Sequence, residues 1–314
     1  CESHMDEIAA RLGLDPVAFR LHNAYGEGDP WHNGQILHGM AIAETIDRVS
    51  REIGWGRTAP AGSPHLRRGK GIATMMKETA TPSSSNVVLQ LEQDGELRVL
   101  CAAPEIGAGQ TTVLAQMAAE AVGVSLDWVS LPATDTAVSP YNGPVGSSRT
   151  TFHVGNAICA AGEDLRRRVL ALAGEQLGVD PEGLELREGV VCEGPVARVP
   201  LQRVLAQAAP EGGALAAEAR YTSAGSPLLK AEPGSGWGSS IFHMIATQAV
   251  EIEVDTETGV IRVLKVAAAS DVGRAVHPAA CEQQIEGGVI MGLSNTLFEE
   301  LHWVDGGIAN NGFG

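Results

Sequence analysis

Aromatic residues are scarce in this chain. Phe, Trp and Tyr make up 4% of its 314 residues, against 44% hydrophobic residues overall, so Ala, Val, Leu and Gly must dominate the packing. Positive charge is also short. Twenty-two Lys and Arg stand against 38 Asp and Glu, a formal net charge of −16. That balance argues against nucleic acid and anionic membranes as partners, because gripping a phosphate-covered surface needs a basic face. A small anionic ligand would need local donors that override the global field. No run of about 20 apolar residues and no signal-peptide pattern is present. The five cysteines, Cys1, Cys101, Cys159, Cys192 and Cys281, are odd in number and widely spaced, without a C-x-x-C pair. Iron–sulfur or structural zinc ligation within the chain is therefore not expected; reduced, buried thiols of a cytoplasmic protein are. The nine histidines show no H-E-x-x-H or H-x-x-x-H spacing, and no Gly-x-Ser-x-Gly nucleophile elbow occurs. With no conventional nucleophile, metal or acid/base site in view, function must be read from how a bound group would be held.

What the chain has in quantity is glycine, 38 residues, which implies many tight turns and close backbone approaches. Helical spacing over residues 1–20 stops at Gly13, and Asp15-Pro16 restarts a helix with an Asp cap and Pro at its first position. A short helix is predicted over 39–54 and a linker over Thr58–Gly69. Strands are predicted over Gly71–Lys77, Asn86–Gln93 and Glu96–Ala102, the last two joined by the Asp94-Gly95 hairpin signal. A helix follows over Thr112–Ala121, a strand over Trp128–Ala133 and a long Ala-rich helix over Thr151–Leu177. Residues 185–198 read as a small hairpin, Pro200–Gln207 as a helix and Gly212–Thr222 as a strand. Ser223–Ser240 is the best candidate for an inserted loop. Thr247–Val254 alternates, with Ala249, Glu251 and Glu253 expected outward and Val250, Ile252 and Val254 inward. It turns into Val260–Ala267, and a last helix is predicted from Ala279 to Leu301. Strands and helices mix without regular βαβ alternation, so the expected fold class is α+β, divided as 1–68, 69–222 and 223–314.

Three stretches carry chemistry. Glu105-Ile106-Gly107-Ala108-Gly109-Gln110-Thr111-Thr112 lies between a predicted strand and helix. Its glycines let the backbone pass close to a ligand, and the first amides of the helix are expected to point at it as unpaired donors. The same pattern also describes a tight turn without a ligand, and Thr112 stands where a dinucleotide fingerprint needs its third glycine. Gly146-Ser147-Ser148-Arg149-Thr150-Thr151 places hydroxyls and a guanidinium at a helix start, which suits a phosphate or a pterin edge and equally suits ordinary capping. Asp135-Thr136, upstream, fits either the same site or a simple turn. Gln284-Ile285-Glu286-Gly287-Gly288 puts small residues on one helix face, for close ligand approach or for packing on a sheet.

Taken in order, these stretches resemble the molybdopterin-binding large subunit of the molybdenum hydroxylases, the family of xanthine dehydrogenase, aldehyde oxidase and aerobic carbon monoxide dehydrogenase. Asp15-Pro16 through Arg20 and Asn23 is similar to the family's DP-x-x-x-R-x-x-N ending of a linker helix. Glu105 to Thr112 with Gln116–Glu120 resembles its E-x-G-x-G turn and helix, and Asp135-Thr136 with Ser147–Gly155 its second cofactor turn. Asp271-Val272-Gly273, His277-Pro278 and Gln284–Gly288 resemble its D-x-G, N-P and Q-x-x-G-G series. The resemblance implies a molybdenum centre on a pyranopterin, with a cytosine dinucleotide tail, that hydroxylates carbon with water-derived oxygen. The implied contacts are Ile106, Gly107, Ala108, Gly109, Gln110, Ser147, Ser148, Arg149, Thr150, Gln284, Gly287 and Gly288. It further implies a hetero-oligomer in which electrons leave through 2Fe–2S clusters to FAD on partner subunits or domains, in the cytoplasm. The three bends are then expected to converge on one pocket.

The chain departs from the pattern in places. Ala108 stands where many members have glutamine, so Gln110 would have to supply that pterin contact. His277 replaces the usual Asn before Pro278. The family's Gly-rich G-G-G-F-G segment and its terminal G-x-G-E glutamate, the proton-abstracting base, do not occur. With Cys1 inside a predicted helix and no initiator Met, the expectation is a central segment that is inactive alone. Other readings are a non-catalytic scaffold or subunit-interface module, and a nucleotide-binding oxidoreductase using Gly107-Ala108-Gly109, which lacks its third glycine.

Overall fold

The computed structural model describes residues 1–57, 59–79, 83–208, 213–223 and 240–312. Most of the predicted 223–240 insertion lies outside the described residues. Backbone contacts divide the chain into two units, Cys1–Asp271 and Val272–Gly314.

The first unit begins with α1 (Glu2–Leu12), α2 (Pro16–Asn23) and α3 (Ile42–Ile53). Gly13 ends α1 in the left-handed region at φ 67°, as its position predicts. Asp15 caps α2 by accepting from the amides of Val17 (3.0 Å) and Ala18 (2.9 Å), with Pro16 at the first position. The strands β1 (Leu66–Glu78), β2 (Ser84–Leu91) and β3 (Leu97–Leu100) follow, then α4 (Gln110–Val122) and β4 (Val129–Ser130), which is shorter than its sequence suggests. A π-helical turn (Thr150–Val154) leads into α5 (Gly155–Leu177). The strands β5 (Leu184–Arg187), β6 (Val190–Glu193) and β7 (Val196–Pro200) form a small antiparallel sheet, followed by α6 (Leu201–Ala208), β8 (Leu215–Thr222), β9 (His243–Asp255) and β10 (Ile261–Asp271).

Two cores form around two sheets. One sheet has the order β4-β3-β2-β8, antiparallel except for the β3–β4 pair, and carries α4 and α5. Its core includes Leu89, Leu91 and Leu97 from the strands, Leu114 and Ala118 from α4 and Ile158, Leu165 and Val169 from α5. The other sheet is β1-β9-β10, covered by α3, whose Ile42, Ile46, Val49 and Ile53 recur at helical spacing and are all buried. β1 pairs with β9 from Leu66 opposite Asp255 to Glu78 opposite His243, so residues assigned by sequence to different domains share one sheet. Helices and mixed sheets in this arrangement make an α+β fold.

The alternation in β9 runs in the phase opposite to the expected one. Ile245, Thr247, Ala249 and Glu253 are the buried set, while Val250, Ile252 and Val254 are half-exposed. Charge made the outward assignment look natural, but cross-strand pairing removes the objection. Arg68 of β1 faces Glu253 and bonds it at 2.9 Å, and Lys70 faces Glu251 with its ammonium 3.8 Å from the carboxylate. A paired carboxylate tolerates burial that a lone one does not.

The second unit contains α7 (Pro278–Leu297) and the hairpin β11 (Trp303–Val304) with β12 (Gly307–Ile308). His277 caps α7 through its ring nitrogen, 3.1 Å from the Ala280 amide, with Pro278 at the first position. α7 stops four residues before the predicted Leu301, and none of its residues is buried.

All five cysteines are free, but only Cys101 is buried; Cys1 is exposed and the other three are half-buried. The expectation of uniformly buried thiols is therefore corrected. Among the described residues no His, Cys, Asp or Glu cluster could hold a metal ion, and no helix is long and apolar enough to cross a membrane.

Candidate functional site

Two of the three bends lie in the first unit, at the starts of α4 and α5. Their relation follows from where the helices touch. A Cβ on Gly155 would stand 2.4 Å from Met117 Cε, and one on Gly162 would stand 2.5 Å from the Cβ of Ala121. The points of contact advance along both helices in the same direction. α4 and α5 are therefore parallel, and the bends at Gly107–Gln110 and Ser147–Thr150 sit at the same end of the pair. Glycine at 162 permits this approach, because a side chain there would meet the Ala121 backbone as well.

The first bend is exposed from Glu105 to Ala108. Gly107 and Gly109 take φ of 91° and 73°, which other residues adopt only at a cost of about 1–2 kcal/mol. A Cβ on Gly107 would meet nothing within 4 Å among the described residues, so conformation rather than crowding favours glycine there. Part of the expected donor set is taken up by the chain itself. The Glu105 carboxylate accepts from Gly107 N (2.8 Å), Gly109 N (3.0 Å) and Thr111 N (3.1 Å). These bonds, Thr111's foremost, hold the Glu105 carboxyl below its usual pKa. Gln110 is buried, with its side-chain amide donated to the Pro104 carbonyl at 2.5 Å, so its NH2 is turned inward rather than toward a ligand. Ile106 and Ala108 are exposed.

The second bend is strained. Ser147 and Ser148 are consecutive left-handed residues, φ 50° and 54°, and both are exposed. The Ser148 hydroxyl contacts the Met244 sulfur at 2.8 Å, at the start of β9. Met75 is exposed on β1, while Met76 is partly buried against the core that α3 covers. Thr150 is buried and opens the π-helical turn, an irregularity often found at functional sites. Arg149 is also buried. Its guanidinium bonds Ser83, Ser84, Ser85, Asn142 and Gly143, and no carboxylate among the described residues pairs with it. Asp135 forms a simple turn, its side chain accepting from the Ala137 amide at 2.8 Å.

Beneath this bend lies His153, fully buried, with Nε2 2.9 Å from the Ser223 hydroxyl and Nδ1 without a partner at hydrogen-bond geometry among the described residues. Burial first, then the charge of Arg149, pushes its pKa below the ordinary histidine value; the Arg149 carbonyl pulls weakly the other way. Tyr221 is the titratable group facing it from β8, ring centroids 5.8 Å apart. Because the folded-state pKa is depressed, the neutral form stabilises the fold above the unfolded value of about 6.5, and that contribution is lost as pH falls through the folded pKa. His243 is shifted the same way by burial. Thermal midpoints measured from pH 7.5 downward should therefore fall below about pH 6.5, and His153→Gln should flatten the part of that fall due to His153. An identical pH profile in the variant would show that His153 does not titrate with folding.

Several contributors are not visible from the motifs alone. Glu105 acting on its own turn has a signal, an acidic residue just ahead of a helix start. Ser83–Ser85, Asn142 and Ser223 have none, since they come from distant segments. The third stretch, Gln284, Gly287 and Gly288, belongs to the second unit; a Cβ on either glycine would meet nothing within 4 Å. Two clefts of the first unit, about 470 and 710 Å³, are lined by residues such as Arg48 and Ala267 and by Glu120 and Arg187, and neither includes a residue of the two bends.

Comparison with known proteins gives these bends a context. The model of the molybdopterin cofactor-binding domain matches residues 48–314. A xanthine dehydrogenase molybdenum-binding subunit of Escherichia coli O157:H7 is 31% identical over 315 residues, covering 96% of this chain and 40% of that protein. An aldehyde oxidoreductase molybdenum-binding subunit of Escherichia coli K12 is 29% identical over 306 residues, covering 96% and 38%. Among solved structures, quinoline 2-oxidoreductase from Pseudomonas putida 86 shares the fold with a TM-score of 0.80 at 24% identity, over 97% of this chain and 41% of its own. The aldehyde oxidoreductase of Desulfovibrio desulfuricans aligns with a TM-score of 0.73 at 25% identity, over 93% and 30%. The chain thus spans about 40% of the length of the curated relatives it matches.

Proposed function

Since the chain belongs to the molybdopterin cofactor-binding domain family of the molybdenum hydroxylases, we propose that it forms the cofactor-holding segment of a molybdenum-binding large subunit. The observation that supports this reading is the parallel course of α4 and α5, with a glycine bend and a hydroxyl-rich bend leading into the same end of the pair. The residues fit the group. The donors offered are neutral amides and hydroxyls, with one buried cation behind them in a chain of net charge −16. Such a set suits an anionic, hydrogen-bonding pterin better than a bare metal ion. The molybdenum–pterin group supplies the two-electron redox chemistry when bound.

The chain's own residues bind and orient. Ile106, Gly107, Ala108 and Gly109 offer main chain at a bend already rigidified by Glu105. Gln110 contributes through its position at the helix start, since its side chain is committed to Pro104. Ser147, Ser148 and Thr150 offer hydroxyls, and Arg149 stands behind them as a buried charge whose donors are held by the protein. Gln284, Gly287 and Gly288 are assigned to the cofactor on the Q-x-x-G-G motif. The substrate class is an aldehyde or N-heterocycle, hydroxylated with oxygen from water. The cofactor is the cytosine dinucleotide form. The partners are a 2Fe–2S subunit and a FAD subunit in a cytoplasmic hetero-oligomer.

In the full-length protein, Ser148→Ala or Gln284→Ala should lower molybdenum and pterin content, each lost polar contact weakening retention by about 1–3 kcal/mol. Metal analysis and pterin fluorescence after dialysis read this directly. Unchanged content in both variants would remove these residues from the cofactor site.

A further inference from the structure

We propose that Arg149 is a positioning residue, whose guanidinium locks the Ser147–Ser148 bend to the root of the first bend and presets their spacing without touching the cofactor. The inference rests on the cofactor-holding reading above and assigns the arginine a different task within it.

Arginine has five N–H donors in a rigid plane. Here the acceptors are Ser83 Oγ for Nε (3.2 Å), Asn142 Oδ1 and the Gly143 carbonyl for Nη1 (3.1 and 3.0 Å), and the Ser84 carbonyl and Ser85 Oγ for Nη2 (2.9 and 2.8 Å). All five donors are thereby engaged, with the Pro144 carbonyl as a longer sixth contact at 3.4 Å. A guanidinium so occupied has nothing left for a phosphate, and Arg149 as a whole is 4% exposed.

The acceptors matter as much as the donors. Ser84 and Ser85 open β2, and Ser83 immediately precedes it. Asn142 is bonded again, its Oδ1 to the Ser85 hydroxyl (2.7 Å) and its Nδ2 to the Ala102 carbonyl (3.1 Å). Ala102 lies three residues before Glu105, at the base of the first bend. A continuous path therefore runs from the second bend through Arg149 and Asn142 to the first. On the other side, Ser223 joins the Ser83 amide (3.2 Å) to His153 (2.9 Å) inside the π-helical turn. Two consecutive left-handed serines are costly and persist only where surrounding bonds over-determine them. This network supplies those bonds.

The test uses the cofactor-free and cofactor-loaded full-length protein. Arg149→Lys keeps the charge and loses the fork; Ser85→Ala removes one acceptor and leaves the arginine in place. A positioning role predicts that both variants raise amide hydrogen exchange over residues 146–150 in the cofactor-free protein, by roughly tenfold, the equivalent of one charge-assisted hydrogen bond. It also predicts that both release pterin faster from the loaded protein, and that the double variant releases it no faster than Arg149→Lys. If Arg149 contacts the cofactor instead, exchange in the cofactor-free protein is unchanged and Ser85→Ala is silent in both forms; either result overturns the proposal. Should Arg149→Lys not fold, Ser85→Ala alone decides, because its exchange either rises or does not. Wild-type protein holding no molybdenum or pterin would sink the cofactor reading, while exchange in the cofactor-free protein would still report on the clamp.

Discussion

Replacing Gly123 by alanine is expected to destabilise the first unit by about 2–5 kcal/mol, the sum of a left-handed backbone penalty and of overpacking. Gly123 ends α4 at φ 94°, where an L side chain is strained before any neighbour is considered. Its Cβ would also stand 2.3 Å from the Leu186 carbonyl oxygen in β5, a backbone atom that cannot swing away. The carbonyl of Gly123 meanwhile accepts the Gly189 amide at 3.1 Å, so the β5–β6 hairpin is docked against this helix end from two directions. The thermal midpoint should drop by roughly 5–15 °C. Gly13→Ala is the internal control. Its φ of 67° carries the same backbone penalty, but nothing among the described residues lies within 4 Å of its Cβ. Equal losses in the two variants would show that the contact with Leu186 contributes nothing.

Arg20→Ala is expected to cost about 2–3 kcal/mol and to release α1 from α2. The guanidinium is buried and bonds Glu2 Oε2 (2.9 Å), Asp6 Oδ1 (2.8 Å), the Pro16 carbonyl (3.1 Å) and the Glu2 carbonyl (3.2 Å). Glu2 also accepts the Thr74 amide of β1 at 2.7 Å, so one arginine ties both helices to the sheet. The estimate stays below that for a fully buried pair because both carboxylates retain partial solvent access and can rehydrate. Limited proteolysis between residues 1 and 14 together with thermal melting reads the effect. An unchanged cleavage rate would mean that apolar packing alone holds α1.

Local signals were reliable where one residue controls its own neighbourhood. Gly13 ending α1, Asp15-Pro16 opening α2 and the bend at Gly107 and Gly109 all took the forms their sequence implies, because φ preference and capping act within a few residues. The reading weakened where a distant partner changes the cost of a state. Glu253 was placed outward on its charge, yet Arg68 from a strand nearly two hundred residues earlier allows its burial. Arg149 and Gln110 were read as ligand-facing from their places in motifs, yet their side chains turn inward to acceptors at Ser83–Ser85, Asn142 and Pro104. The long helix was expected to begin near Thr151 as ordinary α-helix, whereas a π-helical turn precedes it and carries the buried His153.

The motifs, taken in order, carried only a resemblance to the family, whereas the mixing of predicted elements and the capping chemistry were enough for the fold class and the two bends of the first unit, since those depend on residue type and short spacing. Which side chains face a ligand and which brace the bends depended on acceptors brought in from far along the chain. A hydrogen bond is decided by distance and angle in space, and sequence separation carries neither.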